Sequence, residues 1–288
     1  LRQAIQSVVD QTYKDWELII FDNYSTDNTD AVVNEFLMHD IKYIKLQNNG
    51  VIAKSRNAAI KIAKGEYIAL IDSDDFWEAN KLEESYKHLS QKKYDGFCHA
   101  ENWLFDDGKK MIVKYGPEEK FLFNNLLTNG NCLSPSATVI KRDVLNEVGG
   151  YSEDEKLITA EDYDLWLKIS KKGCKFIFSE KVLGWFRVHS EAESYDIVRN
   201  TNAASNVIKS HFNDSSLNEQ ALHKALSNYW RIAGKTCQIR GKYHDSLKMY
   251  LKSNKIKSSF KSYFLIFSLL IPHVIFISIY NLIKSRKK

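Results

Sequence analysis

An apolar run in this chain ends abruptly in carboxylates: Tyr67-Ile68-Ala69-Leu70-Ile71 leads straight into Asp72-Ser73-Asp74-Asp75. A short apolar run bounded by Gly65 and by acids predicts a buried strand. Carboxylates at the carboxyl end of such a strand sit where open α/β sheets bind ligands. If the strand turns after Asp72, then Asp72 and Asp74 converge on one hard cation. Mg²⁺ and Mn²⁺ take oxygen ligands, and their sites commonly use one or two carboxylates plus substrate phosphates. The same residues can also form a plain acidic turn in which an Asp caps the next helix.

Three further clusters have the residue types for chemistry. Asp22-Asn23-Tyr24-Ser25-Thr26-Asp27 follows an apolar run and occupies the same kind of strand edge, or else is a strand-to-helix turn with its own cap. Glu161-Asp162-Tyr163-Asp164 opens a helix, where carboxylates are favoured by the dipole whether or not they react. Arg187-Val188-His189 ends a strand, and its histidine is either structural or a ligand. No Gly-x-Gly-x-x-Gly and no Gly-x4-Gly-Lys-Ser/Thr is present, so the common dinucleotide and Walker phosphate cradles are excluded.

The elements that must position these residues alternate in the first half. Helical spacing covers 1–10, 30–38, 51–63 and 79–89; strands are predicted at 16–21, 41–46 and 67–71. Such alternation implies βαβ units and a parallel sheet. Later, strands are predicted at 95–105, 136–140, 175–178 and 182–188. Helices are predicted at 143–148, closed by Gly149-Gly150, and at 162–172. From about Ser194 only helical patterns remain, including a hairpin over 217–252 that turns at Arg240-Gly241-Lys242.

With 288 residues, 44% hydrophobic and 27% charged, the chain suits one large globular domain with an appendage. Its net charge of +5 is modest, and the basic residues thicken after residue 235 and again at Lys284, Arg286, Lys287 and Lys288. That pattern favours an anionic membrane surface over nucleic acid. Cys98, Cys132, Cys174 and Cys237 form no Cys-x-x-Cys pair, which argues against a disulfide framework or a zinc site. Residues 263–283 are mostly apolar and close to the roughly 20 needed to span a bilayer. Pro272 and His273 interrupt them, however, and basic clusters flank both ends. An interfacial or re-entrant segment keeps both clusters on one face; a spanning helix and a buried core helix are the alternatives.

Order and spacing connect the clusters. Trp16-Glu17-Leu18-Ile19-Ile20-Phe21-Asp22-Asn23-Tyr24-Ser25-Thr26-Asp27, Ser55-Arg56-Asn57-Ala58-Ala59, Ala63-Lys64-Gly65-Glu66-Tyr67-Ile68 and Asp72-Ser73-Asp74-Asp75 follow one another as in the family-2 glycosyltransferases. Gly149-Gly150-Tyr151, Glu161-Asp162-Tyr163-Asp164-Leu165-Trp166 and Arg187-Val188-His189 continue that resemblance, which covers about residues 1 to 190. It implies an α/β, Rossmann-like GT-A fold with a mixed central sheet, followed by a C-terminal helical region. The expected division is a transferase domain over 1–192, a helical extension over 193–258 and a membrane-associating tail over 259–288.

The resemblance also implies an inverting transfer from a nucleotide-diphosphate sugar, a UDP-sugar first of all, to a glycan or lipid-linked acceptor. The setting would be bacterial surface-polysaccharide synthesis at the inner face of the plasma membrane. Carried over, Asp22 and Asn23 line the base and ribose pocket. Asp74 is the metal ligand for Mn²⁺ or Mg²⁺, Asp72 lies nearer the ribose, and Asp162 is the general base. Arg56 and His189 belong to the diphosphate or metal region. The family often has Asp-Asp where this chain has Asp22-Asn23, and an Asn supplies no charge there. Its first strand and a nucleotide-contacting loop precede the helix found here at Leu1, so a fragment of a longer chain is expected, with neighbouring strands left unpaired. The alternatives are a sugar-nucleotide nucleotidyltransferase and a non-catalytic, membrane-tethered nucleotide-sugar binder.

Overall fold

The computed structural model describes residues 1–189 and 196–285. They form two compact units, one of residues 1–126 with 131–189 and one of residues 127–130 with 196–285. The boundary expected at 192/193 lies outside the described residues, as do Arg286, Lys287 and Lys288.

The first unit begins with α1 (Arg2–Val9), β1 (Leu18–Asp22), α2 (Thr29–Asn34), β2 (Ile41–Lys45), α3 (Ile52–Ile62), β3 (Tyr67–Ala69), β4 (Phe76–Trp77) and α4 (Lys81–Leu89). Next come β5 (Gly96–Phe105), β6 (Lys110–Val113), α5 (Glu118–Phe121), α6 (Phe123–Asn129, whose residues from Leu127 on belong to the second unit), β7 (Thr138–Lys141), α7 (Arg142–Glu147), α8 (Glu161–Lys171) and β8 (Phe176–Val188). The expected alternation is therefore present, but the sheet is not purely parallel. β1 and β2 form a parallel pair, with Asp22 opposite Lys45 at its carboxyl edge. The larger sheet runs β3-β7-β5-β8-β4 with β6 attached to β5, and only β5–β8 is parallel within it.

β5 lies at the centre, buried from Gly96 through Glu101, as a strand covered on both faces must be. Phe97, Leu89, Val139 and Leu183 form one core cluster against it. The two strands expected at 175–178 and 182–188 are one strand, β8, whose polar middle coincides with register shifts against His99 and Ala100. The strand expected to reach Ile71 stops at Ala69, so the acidic turn starts from extended backbone just beyond the ladder. Among the described residues β1 pairs only with β2 and β3 only with β7. A cavity of about 680 Å³ is lined by both, with α3 contributing Ala59 and Ile60 and α4 contributing Leu82, Tyr86 and Leu89.

The second unit holds α9 (Ile197–Phe212), α10 (Glu219–Ile239), α11 (Tyr243–Ile256), α12 (Phe260–Ser268) and α13 (His273–Ser285). The α10–α11 turn falls where expected. Gly241 adopts φ +73°, while Gly241 N–H donates to Gln238 O at 3.1 Å and Lys242 N–H to Cys237 O at 2.8 Å, closing α10 as a Schellman motif. Trp230, Ala233, Cys237 and Met249 make the core of this hairpin. The apolar stretch at 263–283 is broken at Pro272 into α12 and α13. No helix among the described residues is long and apolar enough to cross a membrane.

Candidate active site

The acidic turn is built from its own backbone and from the end of β8. Asp75 N–H donates to Asp72 O at 3.1 Å, closing the turn. The Asp75 side chain is buried, and its Oδ1 accepts the Arg187 N–H at 3.0 Å. Burial first, then the charge of Asp72, pushes the Asp75 carboxyl up to about 8. This latch ties Arg187-Val188-His189 to the turn 112 residues earlier. Its consequence lies one residue before Asp75 and two after Arg187: His189 Nε2 comes within 3.0 Å of Asp74 Oδ2.

Asp72 faces a different partner. Arg56, on α3, donates from one terminal nitrogen to Asp72 Oδ1 at 2.8 Å and from the other to Glu161 Oε1 at 3.2 Å. Its guanidinium also lies over the Tyr151 ring, 5.3 Å from the centroid. Burial works against the charge of Arg56, but Asp72, Tyr151 and Glu161 hold it more firmly protonated than usual. Arg56 is oriented by its neighbour on α3. Asn57 Nδ2 donates to Tyr151 O at 3.0 Å, and Tyr151 N–H donates back to Asn57 Oδ1 at 2.8 Å. This clamp needs Gly150, because a Cβ there would lie 2.6 Å from Asn57 Oδ1.

Asp162 is half-buried in the first turn of α8. Its Oδ1 accepts the Tyr163 N–H at 2.7 Å and its Oδ2 accepts from Asn131 Nδ2 at 3.1 Å. Burial, reinforced by the Glu161 charge beside it, pushes the carboxyl up to about 7 even though Arg56 pulls the other way. A carboxyl poised there can take a proton at neutral pH.

Asp22 is turned inward at the end of β1. Its oxygens accept from Ser25 N–H (3.1 Å), the Ser25 hydroxyl (2.5 Å) and the Tyr43 hydroxyl (3.2 Å), with Lys45 Nζ at 3.8 Å. It therefore organises the turn. Asn23 Oδ1 accepts the Asn48 N–H at 2.9 Å, and Asn48 Nδ2 donates to Ser55 at the start of α3. Asn23, Tyr24, Gln47 and Asn49 line an open depression of about 230 Å³ at this edge.

The structure thus joins Asp74 with His189, and Asp72 with Arg56, while Asp22 and Asn23 serve the neighbouring edge of β1. Sequence reasoning did not single out Glu161, Tyr151, Asn131 or Asp75 as working residues. Glu161, Tyr151 and Asp75 stand within quoted motifs and Asn131 in none, and each has its partner elsewhere along the chain, 105 residues away in the case of Glu161 and Arg56.

The donor set fits a divalent cation. Two ligand atoms 3.0 Å apart match neighbouring positions around a metal with bonds of about 2.1 Å. Among the described residues no group of three or more His, Cys, Asp or Glu side chains is gathered for a metal. Two protein ligands leave positions for phosphate and water, the habit of Mg²⁺.

Comparison with known proteins identifies the family. Residues 1–149 match the family described as Glycosyl transferase family 2. The chain is 32% identical over 209 residues to the Escherichia coli UDP-Glc:alpha-D-GlcNAc-diphosphoundecaprenol beta-1,3-glucosyltransferase WfaP, covering 72% of this chain and 79% of WfaP. In three dimensions it resembles S. aureus TarS 1–349 in complex with UDP (TM-score 0.60, 17% identity, 93% of this chain and 85% of that one). It also resembles the mannosyltransferase PcManGT from Pyrobaculum calidifontis in complex with GDP-Man and Mn²⁺ (TM-score 0.60, 17% identity, 95% and 78%). The alternating first half, the mixed sheet and the helical second unit are those of a GT-A protein. The chain belongs to glycosyl transferase family 2 and is a glycosyltransferase.

Proposed function

We propose that this enzyme is a metal-dependent, inverting transferase that moves a sugar from a nucleotide-diphosphate sugar to a hydroxyl of a glycan or lipid-linked acceptor. The setting we propose is bacterial surface-polysaccharide synthesis, of the O-antigen or capsule kind, at the inner face of the plasma membrane. The observation that carries the reading is the contact between Asp74 and His189, in a site that also holds a carboxyl, Asp162, tuned to about 7. The named relative supports the donor and acceptor class: WfaP uses UDP-Glc and a diphosphoundecaprenol-linked sugar. The UDP in TarS and the GDP-Man and Mn²⁺ in PcManGT support a nucleotide donor and a divalent ion.

In this reading Asp74 and His189 hold Mn²⁺ or Mg²⁺, which when bound neutralises charge on the leaving diphosphate. Asp162 accepts the proton of the acceptor hydroxyl as its oxygen bonds to the anomeric carbon. The bond to the diphosphate breaks on the opposite face, so the configuration inverts. Arg56 fixes the carboxylates of Asp72 and Glu161, leaving Asp72 to meet the ribose. Asn23 and the depression beside it receive the base, with Asp22 shaping the turn from behind.

A screen of UDP- and GDP-sugars with Mn²⁺, scored by release of nucleotide diphosphate, tests this. Release is expected with at least one donor and is expected to fall about 100-fold or more in Asp74→Ala, in line with loss of a group that stabilises developing charge. Release that survives both Asp74→Ala and chelation would overturn the metal assignment.

A further inference from the structure

Helices that pack onto a protein normally turn their apolar stripe inward. In the second unit α12 does the reverse. Ser262 and Ser268 are its buried residues. The Ser262 hydroxyl lies 2.9 Å from that of Ser259 and 3.5 Å from that of Ser253. Gln238, from α10, donates to the Ser268 carbonyl at 3.2 Å and to its hydroxyl at 3.1 Å, and is itself held by the Tyr250 hydroxyl at 2.9 Å. The inward face of α12 is therefore a serine seam, met by Gln238 of α10. Its outward face carries Phe260, Phe264 and Phe267, which share one side by their spacing and are 86%, 62% and 68% exposed. Leu270 and Val274 continue the apolar surface across the break into α13, at 82% and 76% exposed.

Charge identifies the occupant. Residues 246–288 contain nine Lys or Arg and no Asp or Glu, and Lys255, Lys257 and Lys261 are exposed around the start of α12. A second copy would bring the same positive charge to the contact and be repelled. Exposed aromatics flanked by lysines match the boundary of an anionic bilayer, where rings enter the acyl region and ammonium groups meet lipid phosphates. Among the described residues, neither helix taken alone is long enough to cross a bilayer. The 13 residues of α13 reach about 20 Å at ~1.5 Å per residue, short of roughly 30 Å of hydrocarbon.

We propose that α12 and α13 form an in-plane anchor on an anionic lipid bilayer, inserting Phe260, Phe264, Phe267, Leu270 and Val274 while Lys255, Lys257 and Lys261 engage headgroup phosphates. This deepens the reading of a lipid-linked acceptor, but it stands on the second unit alone. The experiment is co-sedimentation of the full chain with phosphatidylglycerol–phosphatidylcholine vesicles and with pure phosphatidylcholine vesicles. Binding to the anionic vesicles is expected to be roughly tenfold or more tighter and to weaken with salt. Phe264→Ser/Phe267→Ser is expected to lower it roughly tenfold or more, since two exposed rings lose their burial in lipid. Lys255→Glu/Lys257→Glu/Lys261→Glu is expected to abolish the preference for anionic lipid.

No binding to either vesicle, equal binding to both, or unchanged binding in the lysine variant would each overturn the anchor. So would a lipid-free dimer that is lost in the phenylalanine variant, because the patch would then be a protein interface. Should the phenylalanine variant misfold by circular dichroism, the lysine variant and the salt series decide alone. Donor hydrolysis measured without vesicles separates failure of the anchor from failure of the transferase reading.

Discussion

Asp162 is pulled in two directions. The N-terminus of α8 favours its anion, yet burial and the neighbouring Glu161 push its pKa up to about 7. A general base works when ionised, so turnover should rise about tenfold per pH unit below that value and level off above it. Asp162→Asn should lose this limb together with about 10²–10⁴-fold in rate, while nucleotide-sugar affinity, followed by titration calorimetry, stays within about twofold. A near-normal rate in that variant would remove Asp162 from the base role. Glu101 obeys the same physics inside the sheet. It is fully buried in β5, takes hydrogen bonds from Tyr115 at 2.5 Å and Ser134 at 3.3 Å, and is pushed by burial from 4.5 to about 7. The folded state thus holds this proton more tightly than the unfolded state. The stabilisation is fully present below pH 4.5 and is lost as pH rises towards about 7, at about 1.4 kcal/mol per pH unit. Glu101→Gln should flatten that slope, which urea titrations at about pH 5 and about pH 8 would measure; a slope identical to that of the parent protein would assign the pH dependence elsewhere.

Elements place these residues through a few contacts distant in sequence. The Asn57–Tyr151 clamp fixes α3, and with it Arg56, against the Gly149-Gly150 turn. Both glycines have positive φ, +76° and +67°, but only at Gly150 does a Cβ meet an obstacle. Gly149→Ala and Gly150→Ala should each lose about 1–3 kcal/mol through backbone strain. Gly150→Ala should lose about 1 kcal/mol or more beyond Gly149→Ala, because it also breaks the clamp. Equal losses in chemical denaturation would mean that the clamp contributes nothing. The same contrast explains what was legible in the sequence. The helices α1, α3, α4, α8, α10 and α11 and the strands β1, β2 and β5 were readable within a few residues at their ends, because burial imprints a period on the segment itself. β4 was not readable. Its two residues become a strand only by pairing with Trp185 and Gly184 of β8, and they leave no local pattern. β8 looked like two strands because Ser179-Glu180-Lys181 interrupts its apolar run where the register shifts. In the site, the acidic turn and Asp162 announced themselves by type and position. The inward turn of Asp22 did not, since it depends on Tyr43 and Lys45 across the β1–β2 pair.

For the molecule as a whole, the two units carry different kinds of surface. In the first, polar side chains from several elements converge at the carboxyl edges of β1 and β3. In the second, buried serines and Gln238 leave large apolar side chains outside. A ligand that binds only the folded first unit must stabilise it by linkage. At a hundredfold excess over its dissociation constant the gain is about 2.7 kcal/mol, which at roughly 2–4 °C per kcal/mol for a unit of this size corresponds to a melting shift of roughly 5–10 °C. The proposed metal ligands divide this shift into two parts. In the wild-type protein, nucleotide diphosphate with Mn²⁺ should raise the transition well above nucleotide alone if, as proposed, Asp74 and His189 hold the ion. In Asp74→Ala the nucleotide-only shift should persist, since Asn23 and the depression beside it are untouched, while the increment from Mn²⁺ should disappear. Differential scanning calorimetry of each protein without ligand, with nucleotide, and with nucleotide and Mn²⁺ reads both parts. An Mn²⁺ increment of equal size in the two proteins would place the ion somewhere other than between Asp74 and His189, and no increment in either would remove the ion from donor binding altogether.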